Sequence, residues 1–133
     1  MAILIDTNLI LAYVFQKDIN HLRASQFIHS LVSETRIVAA PVLLELFQMT
    51  AIRINYSQAV KVFIDARENF QIEALTSADM LRMEQIMKQY SSAEFDFADT
   101  AIMAQAERLN ITRVAIFDHR DFEIFRPAHC EYL

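Results

Sequence analysis

The sequence contains no glycine, where average usage of about 7% would place roughly nine in a chain of this length. That absence excludes the phosphate cradles built on glycine-rich turns, the P-loop and the dinucleotide fingerprint among them. Cysteine occurs once, as Cys130, so an internal disulfide is impossible and a reducing compartment such as the cytoplasm is expected. Only two prolines are present, Pro41 and Pro127, and each punctuates an element without marking a linker. The apolar runs fall far short of the ~20 residues of a membrane span. The opening Met1-Ala2-Ile3-Leu4-Ile5 has no basic flank before Asp6, which argues against a signal peptide. Positive charge is scarce as well: 12 Lys and Arg stand against 17 Asp and Glu, a net charge of −5. That is the wrong sign for a protein that neutralises phosphate with a basic surface, an objection that weakens if several acids gather around a metal ion.

What is present reads as one globular domain over residues 1–133, with 54% hydrophobic and 22% charged residues and no repeat or low-complexity tract. Ala2-Ile3-Leu4-Ile5 is apolar at both parities, as expected of a parallel strand buried on both faces. Short helices are expected over Asn8–Phe15 and from His21 to Val32, the second with Leu22, Phe27, Ile28 and Leu31 near helical spacing. A strand over Arg36–Ala40 leads into a helix that Pro41 can open and that runs to about Ile54. Ser57 can cap a further helix to about Glu68, and Phe70–Leu75 alternates like a strand. Thr76 with Asp79 resembles a capping box, and Asp96 can cap a helix ending near Asn110, a residue tolerant of left-handed backbone. Arg113–Phe117 is again a buried type of strand, and a last one falls within Ala128–Tyr132. Strands separated by helices predict an α/β fold with a central parallel sheet of roughly four to five strands, whose ligands bind beyond the carboxyl ends.

Asp6 and Asp118 each follow an apolar strand directly, where they would point into one crevice. Either alone could equally be a helix N-cap; together they suggest a site. Glu45 shares a helical stripe with Val42, Met49 and Ile52, and Asp99 with Met103 and Ala106. Neither has Lys or Arg three or four residues away, so local pairing cannot excuse an acid on an apolar stripe. The bland alternative is a solvent-facing stripe or a distant basic partner. Four carboxylates in one pocket would repel, at about 4 kcal/mol per pair ~4 Å apart in an effective dielectric near ~20. A divalent cation resolves this, and oxygen-only ligands favour Mg²⁺ or Mn²⁺ over zinc. His21, His29, His119 and His129 form no zinc-like spacing with the cysteine.

Four segments, Ile5-Asp6-Thr7-Asn8, Pro41-Val42-Leu43-Leu44-Glu45-Leu46, Phe95-Asp96-Phe97-Ala98-Asp99-Thr100-Ala101 and Phe117-Asp118-His119-Arg120-Asp121-Phe122, together resemble the PIN domain. Their order and spacing are especially similar to the VapC-type toxins of bacterial toxin–antitoxin pairs, over essentially the whole chain. The resemblance implies a three-layer α/β/α fold and an Mg²⁺- or Mn²⁺-dependent endoribonuclease with Asp6, Glu45, Asp99 and Asp118 as metal ligands and catalytic acids. It implies that Asn8 steadies the first carboxylate, that Asp121 contributes through water, and that Asp96 caps or assists. It also implies a homodimer, an RNA substrate and a cognate antitoxin. The sequence departs from the family at Ile116, where Thr or Ser is frequent and a hydroxyl can help order the site.

For substrate contact the sequence offers Arg120, Arg126 and His119, which equally suit ordinary surface charge; Phe97, Phe117 and Phe122 are possible walls of the site. The rivals are a PIN-fold binding module without catalysis and a receiver-type phosphoacceptor domain. The latter needs a late lysine, and there is none after Lys88. A phosphatase with a nucleophilic Asp-x-Asp pair is disfavoured because residue 8 is Asn.

Overall fold

The computed structural model describes residues 1–117, 120–125, 127 and 131–132. The elements, in chain order, are β1 (Ala2–Ile5), α1 (Thr7–Val14), α2 (His21–Ser30), β2 (Thr35–Ala39), α3 (Ala40–Arg53), α4 (Tyr56–Asn69) and β3 (Gln71–Glu73). They continue with α5 (Ser77–Gln89), a 3-10 turn (Ser91–Ala93), α6 (Phe97–Arg108), β4 (Arg113–Ala115), α7 (Arg120–Ile124) and β5 (Glu131–Tyr132).

The five strands run parallel in the order β3-β2-β1-β4-β5. Ile3, Leu4 and Ile5 point alternately to opposite faces and all three are fully buried, so helices cover both sides of β1. The chain winds outward from β1 through β2 to β3, then crosses back to lay β4 on the other side of β1. Strand order therefore reverses between β1 and β4, which opens a crevice at their carboxyl ends. Leu4 pairs with Val114 and Ile5 with Ala115, and the Asp6 N–H continues the ladder to the Ala115 carbonyl at 3.0 Å. In a receiver-type sheet the first strand lies between the second and third; here it lies between β2 and β4, and that rival is set aside.

Local chemistry accounts for most boundaries. The Thr76 hydroxyl accepts from the Asp79 N–H and the Asp79 carboxylate from the Thr76 N–H, both at 3.0 Å, closing the expected capping box. Asn110 adopts φ 53, the left-handed stop expected after α6. The cap of α4 is Asn55, not Ser57: the Asn55 side chain accepts from the Gln58 N–H at 2.8 Å, which leaves Ser57 inside the first turn. β3 is shorter than its alternation suggested because Phe70 ends α4 and Thr76 opens α5. β4 stops at Ala115, where its neighbour β1 also ends, so Ile116 and Phe117 leave the sheet. Leu22, expected on the buried stripe of α2, is exposed, while Ile28 and Leu31 carry the packing.

Candidate functional site

Asp6 sits at the N-cap of α1 with φ −81 and ψ 157, yet its carboxylate makes no capping hydrogen bond. The acid is only 4% exposed. Burial pushes its pKa up to about 6; the Thr7 and Asn8 backbone N–H groups oppose this, and Glu45 and Asp96 add to it.

Glu45 approaches from α3, half-buried beside the buried Val42 and Leu46. Its pKa is raised by burial and then by Asp96, while the Thr7 hydroxyl lowers it. The expected apolar stripe does not continue: Ile52, two turns along, is 83% exposed. Glu45 thus marks the point where α3 passes from the core to the crevice.

Asp99 comes from the first turn of α6, with Met103 and Ala106 of its stripe buried as expected. Its pKa is pushed up to about 9, first by burial, then by Asp6, a hydrogen bond with Asp121, and the charges of Asp96 and Asp121. Asp96 is the cap, its Oδ1 accepting from the Asp99 N–H at 2.8 Å. Asp121, in the first turn of α7, is 7% exposed. Elements from both ends of the chain thus bring Asp6, Glu45, Asp96, Asp99 and Asp121 into one electrostatic neighbourhood.

Not every expected role falls where sequence placed it. The Asn8 backbone N–H, not its side chain, acts on Asp6; the side chain is exposed and lines a neighbouring groove. Arg120 points into solvent, its side chain 79% exposed and its Nε 3.6 Å from Asp121 Oδ1. Phe122 is fully buried and belongs to the core, not to a wall, whereas Phe97 is 55% exposed. Asp118, His119 and Arg126 lie outside the described residues.

Among the described residues no three Asp, Glu, His or Cys side chains converge on one coordination sphere. The donor chemistry nonetheless fits a hard divalent cation: the facing groups are all oxygens, and burial, with repulsion among the carboxylates added to it, favours protons that such an ion would displace. The buried Thr7 Oγ1 points the same way. It lies near enough to Glu45 to lower its pKa but completes no hydrogen bond of good geometry.

The sequence matches the family described as PIN domain over residues 3–126. The chain belongs to the PIN domain family. Solved structures share its fold at low identity. VapC20 of Mycobacterium tuberculosis, described as a toxin cleaving the sarcin–ricin loop, has a TM-score of 0.82 at 19% identity, covering 96% of this chain and 97% of that one. The Rickettsia felis VapBC2 complex bound to promoter DNA gives 0.79 at 12% identity, covering 100% and 99%. VapBC-1 of nontypeable Haemophilus influenzae gives 0.75 at 16%, covering 100% and 97%. No curated protein is significantly similar in sequence.

Thr7, beside the crevice acids of this PIN domain, and Arg23 and Arg53, in adjoining pockets, escaped the sequence reading. Thr7 could have been found, since a hydroxyl directly after a strand-end acid is already a site-like placement. Arg23 and Arg53 could not: the Arg23 guanidinium lies 5.4 Å from the ring centre of Phe117, and Arg53 lines the groove that Phe117 and Asn8 share. Only the folded chain brings those segments together.

Proposed function

We propose that this PIN domain, formed by the whole chain, is a divalent-metal-dependent endoribonuclease acting as the toxin of a toxin–antitoxin pair. Asp6, Glu45, Asp99 and Asp118 hold Mg²⁺ or Mn²⁺, with Asp121 and Asp96 supporting Asp99. The observation that carries this reading is the raised state of Asp6 and Asp99: two acids from distant segments, both pushed up first by burial and then by neighbouring carboxylates, each without an ion pair to a described residue. When bound, a hard divalent ion supplies an activated water and neutralises charge developing on a phosphodiester. The chain's own part is to orient the carboxylates: the Asp6 backbone is fixed by the β4 ladder, and α6 is anchored by its Asp96 cap.

An antitoxin and a second copy of the chain belong to the same reading. The fold likeness to VapBC assemblies supports this. So does an apolar groove of about 530 Å³ between α3 and α4, lined by Leu44, Phe47, Tyr56 and Phe63 among others.

The test is cleavage of structured RNA by the purified protein in Mg²⁺ or Mn²⁺, with EDTA and with Asp6→Asn and Asp99→Asn alongside. Cutting should require metal and be abolished by either substitution. Asp121→Asn should cost about 10- to 100-fold, the usual effect of removing a group that orients a ligand. Folded wild type that cuts no RNA in either metal would instead indicate a binding module of the same fold.

A further inference from the structure

The acidic balance of the chain makes the few available cations informative. Among the described residues, Arg82, Lys88, Arg108 and Arg113 are paired with Glu107, Glu84, Asp79 with Glu73, and Glu34 respectively. Arg36 donates to the Asn69 carbonyl at 3.0 Å. Arg23 and Arg53 make no ion pair with a described residue, and each instead lies against an aromatic ring. Arg23 stands 5.4 Å from the centre of Phe117, and Arg53 stands 5.9 Å from that of Phe15.

These two pairs line adjoining pockets that share Phe117 and Arg53. Phe117 lines both a small cavity of about 90 Å³ shared with Arg23 and the polar groove of about 300 Å³ shared with Arg53 and Asn8. Asn8 stands two residues beyond Asp6, and Phe117 two beyond Ala115, whose carbonyl holds the Asp6 N–H. Past Arg53 the surface continues to Phe15 and Lys17. One acid, Asp18, also lines the groove, and its Oδ1 accepts from the Asn20 N–H at 2.8 Å.

We infer that Arg23, Phe117, Arg53 and Phe15 form a track that positions a single-stranded RNA segment as it leaves the acidic crevice, the guanidinium groups contacting phosphates and the rings stacking bases. The ligand class rests on the ribonuclease reading. The track itself rests on the placement of stacked, unpaired guanidinium groups beside half-buried rings. A planar guanidinium donates to phosphate as a fork while stacked on an aromatic face. Unpaired bases stack on such platforms, whereas a duplex keeps its bases stacked on one another. Placing two unpaired guanidinium groups here, with Lys17 beside them, lets a protein of net charge −5 hold a polyanion beside its acidic site.

The test is anisotropy of a fluorescein-labelled single-stranded oligoribonucleotide in EDTA, where cutting is blocked, over a range of salt, with steady-state cleavage measured in parallel. Arg23→Ala and Arg53→Ala should each weaken binding about tenfold and flatten the log–log salt slope by about 0.7, one phosphate contact apiece. In cleavage they should raise KM and leave kcat within about twofold. Arg23→Lys and Arg53→Lys should retain the slope and lose part of the affinity, because the charge remains while the stacked fork does not. Arg67→Ala, on the exposed face of α4, should match wild type. If wild type binds RNA while both alanine variants bind with unchanged affinity and slope, the track is wrong and the nuclease reading stands. Arginine-dependent binding without cleavage in any metal would keep the track and remove the nuclease. Wild type that neither binds nor cuts would remove both.

Discussion

Asp79 and Asp99 occupy the same place in two packed helices, the third residue after the cap, and their carboxyls are driven in opposite directions. In both cases burial raises the pKa. At Asp79 that effect is overcome. Arg108 Nε donates to Oδ1 at 2.7 Å and Nη2 to Oδ2 at 3.0 Å, and the Thr76 N–H completes the capping box, so the net shift is downward. At Asp99 only half a box is made. Asp96 accepts the Asp99 N–H, while the Asp99 carboxyl turns to Asp6 and Asp121 and is pushed up to about 9. Helix α6 carries Asp99 in its first turn and Arg108 at its end, roughly 14 Å away at ~1.5 Å per residue. The chain thus has a guanidinium to give and places it at the far end. Asp79, which closes its helix cap, receives a cation from the protein, whereas Asp6 and Asp99 form no ion pair with a described residue.

The largest effect should come from breaking the paired end. Arg108→Ala strands a buried carboxylate that also loses its shared link to Glu73, and urea unfolding should show a loss of about 3 kcal/mol. A loss below ~1 kcal/mol would mean that the Asp79 cluster is not structural. Next in size is the effect of filling the crevice. Mg²⁺ or Mn²⁺ at about 100 times its Kd should stabilise wild type by about 2.7 kcal/mol through linkage, read as a rise in Tm. Asp6→Asn and Asp99→Asn should show little of it, and an equal rise in all three would put the ion elsewhere. Smaller, and opposite in sign to Arg108→Ala, Asp99→Asn should stabilise the metal-free protein by about 1 kcal/mol in EDTA, because it removes a strained acid at a functional position. A destabilised Asp99→Asn would recast Asp99 as an ordinary capping-box residue.

The same contrast governs what the sequence could reveal. Closed, local chemistry was legible: the Thr76 box and the left-handed Asn110 each depend on a few neighbouring residues. The buried strands β1 and β4 were legible because both faces are apolar. Glu45 and Asp99 stood out through what they lacked, a basic residue within a helical turn, and Asp6 through its place directly after an apolar strand. Partners supplied by tertiary contact were invisible. Arg108 meets Asp79 across two helices, and nothing near Asp79 in sequence announces it. The exchange of Asn55 for Ser57 as the cap of α4 turned on two residues with similar capping preference, where extended backbone at Asn55 decides. Phe122 looked like a wall because it follows the last acidic motif, but α7 turns that ring into the core.

The pH profile of the metal-free protein separates the two clusters in one experiment. An Asp whose folded pKa lies below its unfolded value of about 3.9 binds fewer protons when folded. Stability then rises with pH through that window and is lost as pH falls through the folded pKa. Asp79 contributes this acid limb. Asp6 and Asp99, raised to about 6 and about 9, do the reverse. The folded state holds their protons longer than the unfolded chain does, so their contribution is fullest below about pH 4 and is lost as pH rises through each folded value. Unfolding free energy in EDTA should therefore peak near pH ~4 and decline toward pH ~9, where many proteins are most stable between about pH 5 and 8. Asp99→Asn should flatten the later part of the decline, leaving the step near Asp6, while Arg108→Ala should remove the acid limb alone. Saturating Mg²⁺ should abolish the decline, since a cation replaces the protons that these carboxyls retain. A maximum that stays between about pH 6 and 8 in EDTA would show that the crevice acids are already balanced by groups of the protein, and the contrast with Asp79 would collapse.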